Sequence, residues 1–358
     1  MNPTDTPRLH GSFLQLWEGH LHWGPAGEWA ALFDELSQLR SSMLIVQHAA
    51  VDRVVDDSCI RREGPRARLE FHRGPGGGFA GSVLDQLLQQ AVPRGMSLRL
   101  GVLHDGDFWC RQVHLPLPDR TAMLDGLLAR SRTLLAGLAP VAADHPAVTG
   151  WYLPLEVAVD NWPTPPLEEA LFAHLRRTCE AVRAVDGRLP IAISGFANAG
   201  TPPSDLADFW GRLLDAVPLL DIVMFQDGVG ARKLTLQQLP AYLMALDAVV
   251  DARGRELEAI VEVFDHPGAP RDTTGVPGPI DRISEQIAIA ASFTDTLVAF
   301  QLPHYLCRPS SLPLADVEAL REAYVERHLG SIADSPRTER DSCAQGLKGA
   351  PAGRPQPF

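Results

Sequence analysis

Eight short apolar runs recur along this chain, and an amphipathic segment with helical spacing follows each of them. The runs are SFLQLW (12–17), MLIVQHA (43–49), LRLGVLHD (98–105), GWYLPLEV (150–157), IAISGF (191–196), DIVMFQDG (221–228), AIVEVF (259–264) and TLVAFQLPHY (296–305). The amphipathic segments are 28–40, 82–91, 121–138, 167–185, 204–217, 236–252, 281–293 and 314–327; in the first, Trp29, Leu32, Phe33 and Leu36 form one stripe. Ser82, Ser204 and Asp281 each precede a periodic run as expected N-caps. Strands buried on both faces read as near-continuous apolar runs, and strands that alternate with helices pair in parallel. Eight such units predict an α/β fold, a single closed (β/α)8 TIM barrel. An open doubly wound sheet is the competitor, but no strand–Gly-x-Gly-x-x-Gly–helix unit opens the chain.

Two stretches depart from the alternation. REGPRARLEFHRGPGGGFAGS (62–82), between the second and third runs, is too long for a plain βα loop and predicts an insertion after strand 2 on the upper face. From Ser331 onward the chain is polar, Pro/Gly-rich and aperiodic, which reads as disorder. The expected organisation is therefore a lead-in over 1–10, a barrel over 11–330 and a tail over 331–358.

Net charge of −12 argues against nucleic acid and anionic membrane surfaces as partners. No apolar run approaches the ~20 residues of a membrane span, and the first residues lack the basic and apolar regions of a secretory signal. As written, the sequence predicts a cytoplasmic protein. The five cysteines (59, 110, 179, 307, 343) are scattered with no Cys-x-x-Cys pair, as expected of thiols in a reducing compartment. Oligomeric state is not legible.

Each run carries one hydrogen-bonding side chain near its C-terminal end: Gln15, Gln47, His104, Glu156, Ser194, Gln226, Glu262 and Gln301. That end of a barrel is the face where active sites form. Amides and carboxylates there supply donors and acceptors for a hydroxyl-rich ligand. Trp17, Trp23, Trp109, Trp151, Trp162 and Tyr305 lie within or just beyond the same ends, where rings stack on sugar faces or fill the core. Glu156 and Glu262 end the fourth and seventh runs. Carboxylates are costly to bury unpaired. Either each belongs to an ion pair, for which Arg99 is the nearby basic candidate, or the two serve glycoside hydrolysis as proton donor and nucleophile or base. Asp227, in QDGVG (226–230), is a sugar contact, a residue that orients Glu262, or half of a turn-forming Asp-Gly pair.

GSFLQLW (11–17), GWYLPLE (150–156) and FQDGVG (225–230) together resemble a bacterial, cellulase-like family of barrel proteins classed as a domain of unknown function. The likeness covers roughly 10–327 and extends to the large glycosidase superfamily with glutamates ending strands four and seven. It implies Glu156 in the acid/base position and Glu262 in the nucleophile position of a retaining glycosidase acting on a poly- or oligosaccharide, with no cofactor and no metal. Sugar contacts are expected from Gln15, Trp17, Gln47, His104, Trp151, Gln226, Asp227, Gln301, His304 and Tyr305. One departure stands out. The superfamily's asparagine before the strand-four glutamate is Leu155 here, and Asp160 or Asn161 is the replacement on offer.

Two rival readings remain. A non-catalytic carbohydrate-binding barrel is motivated by Leu155. A metal-dependent hydrolase is motivated by His20-x-His22, but the fifth and sixth runs offer no further ligands. GPGGGFAG (74–81) lacks the Lys-Ser/Thr of a phosphate loop and reads as a flexible loop, and no Gly-x-Ser-x-Gly elbow is present.

Overall fold

The computed structural model describes residues 6–54, 66–108, 114–142, 144–266, 275–308, 310 and 312–330. Eight parallel strands close on themselves: β1 (Gly11–Leu14), β2 (Met43–Val46), β5 (Ser97–Gly101), β7 (Val148–Ala158), β8 (Ile191–Phe196), β9 (Ile222–Gln226), β10 (Glu256–Glu262) and β13 (Leu297–Phe300), which returns to β1. Helices separate the strands, so the fold is the expected α/β TIM barrel. Barrel strands four and seven are β7 and β10.

The insertion after β2 contributes a small sheet beside the barrel. β3 (Ala50–Val54) pairs antiparallel with β4 (Arg66–Glu70) and parallel with β6 (Leu103–Asp105). Asp52 ties this sheet to the helix layer, accepting from Arg68 Nε at 2.6 Å and from Arg130 Nε at 2.7 Å. Two expected strands are shorter than their apolar runs. Run 98–105 breaks at Gly101, where any side chain would strike the Gln47 carbonyl, and the chain leaves the barrel to form β6. Run 296–305 stops at Phe300, joined to Gln301 by a cis peptide. Pro303, which has no N–H for a ladder, then sits in the first turn of a short helix, Leu302–Tyr305. Likewise β10 gives way to the hairpin β11 (Phe264–Asp265) and β12 (Val276–Pro277).

Of the three expected caps, Ser82 alone acts as one, its Oγ accepting from Asp85 N–H at 3.1 Å. Ser204 and Asp281 lie inside the first turns of helices that begin after Pro202 and Pro279. The lead-in is packed where it is described: Leu9 is fully buried and its N–H donates to the Tyr324 hydroxyl at 3.0 Å. Residues 331–358, Trp109, Cys59, Cys110 and Cys343 lie outside the described residues, whereas Cys179 and Cys307 are buried free thiols. No helix among the described residues is long and apolar enough to cross a membrane.

Contacts between strands that are not neighbours define the barrel lumen. Phe13 on β1 meets Tyr152 on β7, with ring centroids 5.2 Å apart, and the Tyr152 hydroxyl bonds Ser194 Oγ at 2.6 Å. Below them Arg99 on β5 reaches across to Glu258 on β10 in a two-pronged pair, both contacts 2.6 Å. Glu258 is fully buried, so removing its partner strands a charge. R99M is expected to cost about 3–5 kcal/mol in denaturant unfolding. The double variant R99M/E258L is expected to recover most of that loss.

Candidate active site

Period-two alternation carries the lumen-facing positions of β9 and β10 upward from Met224 and Glu258, which contact Arg99, to Gln226 and Glu262 at the C-terminal ends. β7 arrives differently. Its register with β8 runs Leu153↔Ile193 and then Val157↔Gly195, four residues of advance against two. The surplus forms a bulge containing Pro154, Leu155 and Glu156, a device that re-aims side chains beside functional sites. Glu156 then comes under the influence of the Gln226 amide and of the Glu262 charge, so both glutamates stand in one mouth. Leu155 faces elsewhere, lining a small apolar cavity with His104, Phe108, Leu127 and His174.

The segment after β9 wraps over Glu262. Gly228 takes φ +66°, a left-handed turn that glycine makes at no steric cost, and closes with Lys233 N–H donating to its carbonyl at 2.8 Å. Gly230 packs so closely that a side chain there would collide with the Phe264 carbonyl and the Glu262 side chain. This approach delivers the Ala231 N–H to Glu262 Oε2 at 2.6 Å. Asp227 accepts from the backbone N–H of Val229 at 3.1 Å and of Glu262 at 3.3 Å, and from the Gln286 amide, so it is both turn-former and brace. Arg282 clasps the same strand end, donating to the Glu262 carbonyl at 3.2 Å and the Phe264 carbonyl at 2.5 Å.

Neither glutamate forms a salt bridge with an arginine among the described residues; Arg99 is taken by Glu258. Burial pushes both carboxyls above the usual range. The Lys233 ammonium pulls both back, Gln226 helps Glu156, and the Ala231 and Gly230 amides with Arg282 help Glu262. Asp227 rises to about 7, through burial first and the neighbouring Glu262 charge second.

Gln15, Trp17, Gln301 and His304 come together in a second cleft, over the seam between β1 and β13, with His20 and Trp23. Tyr305 links it to the mouth, stacking on Phe264 with centroids 5.6 Å apart and feeling the Glu262 charge. The remaining expected contacts are dispersed. Trp151 is fully buried in the core and Gln47 is almost so, and neither offers a surface to ligand. His104 stacks on His48 at 5.5 Å and shares the cavity of Leu155. Asp160 is exposed at the rim, both its oxygens engaged by Thr201 and Asn198 at 2.5 and 2.7 Å. Asn161 offers its carbonyl to Arg120 at 2.6 Å, while its buried side-chain nitrogen has no hydrogen-bond partner among the described residues. His20 is held by its own loop: its Nδ1 accepts from Trp17 N–H at 3.1 Å, its ring lies among Trp17, Trp23 and Trp29, and burial lowers its pKa to about 3. No group of three or more His, Cys, Asp or Glu side chains among the described residues is arranged to hold a metal ion. Lys233 and Arg282 were not foreseen from sequence; Lys233 stands three residues beyond the FQDGVG motif, its one available signal.

A family described as Domain of unknown function (DUF4434) matches residues 9–312. The uncharacterized protein YbcH of Escherichia coli K12 is 29% identical over 160 residues, 43% of this chain and 50% of that protein. The chain thus spans about half the length of that curated relative. Among solved structures, a candidate alpha-L-fucosidase from Bacteroides thetaiotaomicron superposes with TM-score 0.65 at 17% identity, over 92% of this chain and 95% of its own. The beta-galactosidase of the psychrophilic Marinomonas ef1 gives TM-score 0.51 at 12% identity, over 89% of this chain and 58% of its own. At such identities the likeness is one of fold, a barrel of the kind found in glycosidases.

Asp227 supplies a check on the electrostatics. A carboxyl whose folded pKa lies above its unfolded value contributes stability below the unfolded pKa and loses it as pH rises through the folded one. Between its ordinary 3.8 and about 7, wild type is therefore expected to lose thermal stability relative to D227N as pH increases. Parallel melting curves of the two proteins across that window would refute the assignment.

Proposed function

The chain belongs to the DUF4434 family, and from its barrel mouth we propose that it is a glycoside hydrolase acting on a poly- or oligosaccharide by a retaining, two-carboxylate mechanism. The observation that carries this reading is the pair of buried glutamates, Glu156 and Glu262, brought to one mouth from the fourth and seventh barrel strands in unlike environments. Glu262 receives backbone N–H groups and the influence of Arg282, which favour its ionised form. Glu156 has one amide partner and lies under the field of Glu262, which favours its protonated form. Environments that set two carboxyls apart in this way assign acid and nucleophile.

Glu156 donates its proton to the departing glycosidic oxygen while Glu262 attacks the anomeric carbon and forms a glycosyl–enzyme ester. Water, deprotonated by Glu156, then releases the sugar. Gln226 holds Glu156 in place and Asp227 holds the backbone of Glu262. Trp17, Gln15, Gln301, His304 and Tyr305 extend the binding surface along the β1–β13 side.

Reducing-end release and aryl glycoside cleavage test this directly. E262Q is expected to abolish turnover of every glycoside. E156Q is expected to lose about 10²–10⁴-fold on substrates with poor leaving groups and far less on dinitrophenyl glycosides, whose departure needs no proton. A carboxyl separation of about 5–5.5 Å in a ligand complex, with retention of anomeric configuration, would fit the ester route; inversion would overturn it. Leu155 favours one alternative, a non-catalytic sugar-binding barrel, because the bulge directs an apolar side chain into a cavity where an amide would be needed beside Glu156. Sugar binding that survives E262Q, with no product from wild type, would establish that alternative.

A further inference from the structure

Lys233 has an arrangement that neither the fold nor the two-carboxylate scheme calls for. It is half-buried, and its Nζ rests over the Phe196 ring, 3.2 Å from the centroid, in cation–π contact. Phe196 ends β8 and pairs in register with Ala158, two residues beyond Glu156. On the other side, the turn anchored by Gly228 fixes the backbone of Lys233 just after the Ala231 amide that holds Glu262. The Lys233 side chain therefore runs from the turn that holds Glu262 to the β8 end beside β7, within electrostatic reach of both glutamates. Among the described residues no carboxylate oxygen lies within 4.0 Å of it and no hydrogen bond uses it.

We propose that Lys233 is a positioning residue of the Glu156–Glu262 site: a counter-charge held at a stand-off from both carboxylates, so that it stabilises one negative charge shared by the pair without locking either group in a salt bridge. A contact ion pair would tie up oxygens needed for proton transfer and attack. A cation one shell away lowers the cost of ionising the buried pair and leaves both oxygen sets open. The attraction works against burial on both partners: the lysine favours ionisation of each glutamate, and the glutamates favour the charged lysine. The other groups facing this cluster are Asp227 after β9, Arg282 from the helix Ile280–Ala290, and the phenols of Tyr152 and Tyr305. Arg282 acts on Asp227 and Glu262, whereas among the described residues Lys233 is the cation whose charge reaches both glutamates.

The catalytic consequence rests on the hydrolase reading; the electrostatic one does not. The experiment is a pH titration of carboxyl signals in protein labelled with ¹³C at glutamate Cδ, with E156Q and E262Q assigning the two resonances. In K233M both midpoints are expected to rise by roughly one to three pH units, and K233R is expected to restore them. K233Q makes the same charge change should K233M not fold. Unmoved midpoints would overturn the proposal, even with a lowered melting temperature, because a packing role alone leaves them in place. On a cleaved glycoside, the whole bell-shaped kcat/KM profile of K233M is expected to move toward alkaline pH, since removing a positive charge raises the nucleophile's and the acid's pKa together. A profile that falls in height without moving would also overturn it. Should wild type cleave no glycan, the hydrolase reading falls and the carboxyl titration still decides the role of Lys233.

Discussion

The barrel is closed along a thin seam. β1 and β13 share two paired positions, Gly11 with Val298 and Ser12 with Ala299, and side chains complete the joint. Ser12 Oγ accepts from Leu302 N–H at 2.8 Å, and Gln301 accepts from the Gln15 backbone at 3.3 Å while donating to the Gln15 side chain at 3.2 Å. Closure leaves the barrel sheet itself without a free edge. It also fixes which residues face inward, because a slip of one position turns a whole strand inside out. Arg99 meets Glu258, Phe13 meets Tyr152 and Glu262 enters the mouth only in that register. Two residues of the seam, Gln15 and Gln301, also line the upper cleft, so the joint and the candidate sugar surface are partly the same side chains.

Above the seam the chemistry is governed by how buried charge is compensated. In the lumen the answer is direct contact, guanidinium to carboxylate. At the mouth it is distributed: backbone amides, a carboxamide and a distant ammonium each contribute to buried carboxyls that no arginine locks in a salt bridge among the described residues. A direct pair is rigid and chemically inert. Distributed compensation leaves groups whose protonation depends on one another. The neighbouring imidazoles take little part, since burial holds His104 and His304 neutral, with pKa values near about 4.

Much of this architecture is legible in the sequence, because strands buried on both faces leave apolar runs and the helices between them keep a clear period. The two glutamates stood out as carboxylates within such runs, and the glycines of FQDGVG marked a turn beside them. Other features leave no one-dimensional trace. Trp151 belongs to a strand end, yet only the side on which it projects decides whether it meets ligand or core. The bulge between Leu153 and Val157, which advances β7 by four residues against two of β8, leaves no mark in the apolar run that contains it. Glu258 finds its partner 159 residues away, a pairing that only barrel geometry creates. Lys233 sits in a connection with no periodicity, placed by a left-handed glycine and a close approach at Gly230.

The hydrogen bond from Leu9 to Tyr324, reinforced by His328 Nδ1 at 2.9 Å from the Pro7 carbonyl, sets the first and last described segments side by side. Both lie at the end of the barrel where β1 begins, opposite the mouth. The seam that closes the ring of strands is thus backed by a second tie, between the lead-in and the last described helical turn, so the barrel is fastened twice and the second fastening lies away from the glutamate pair.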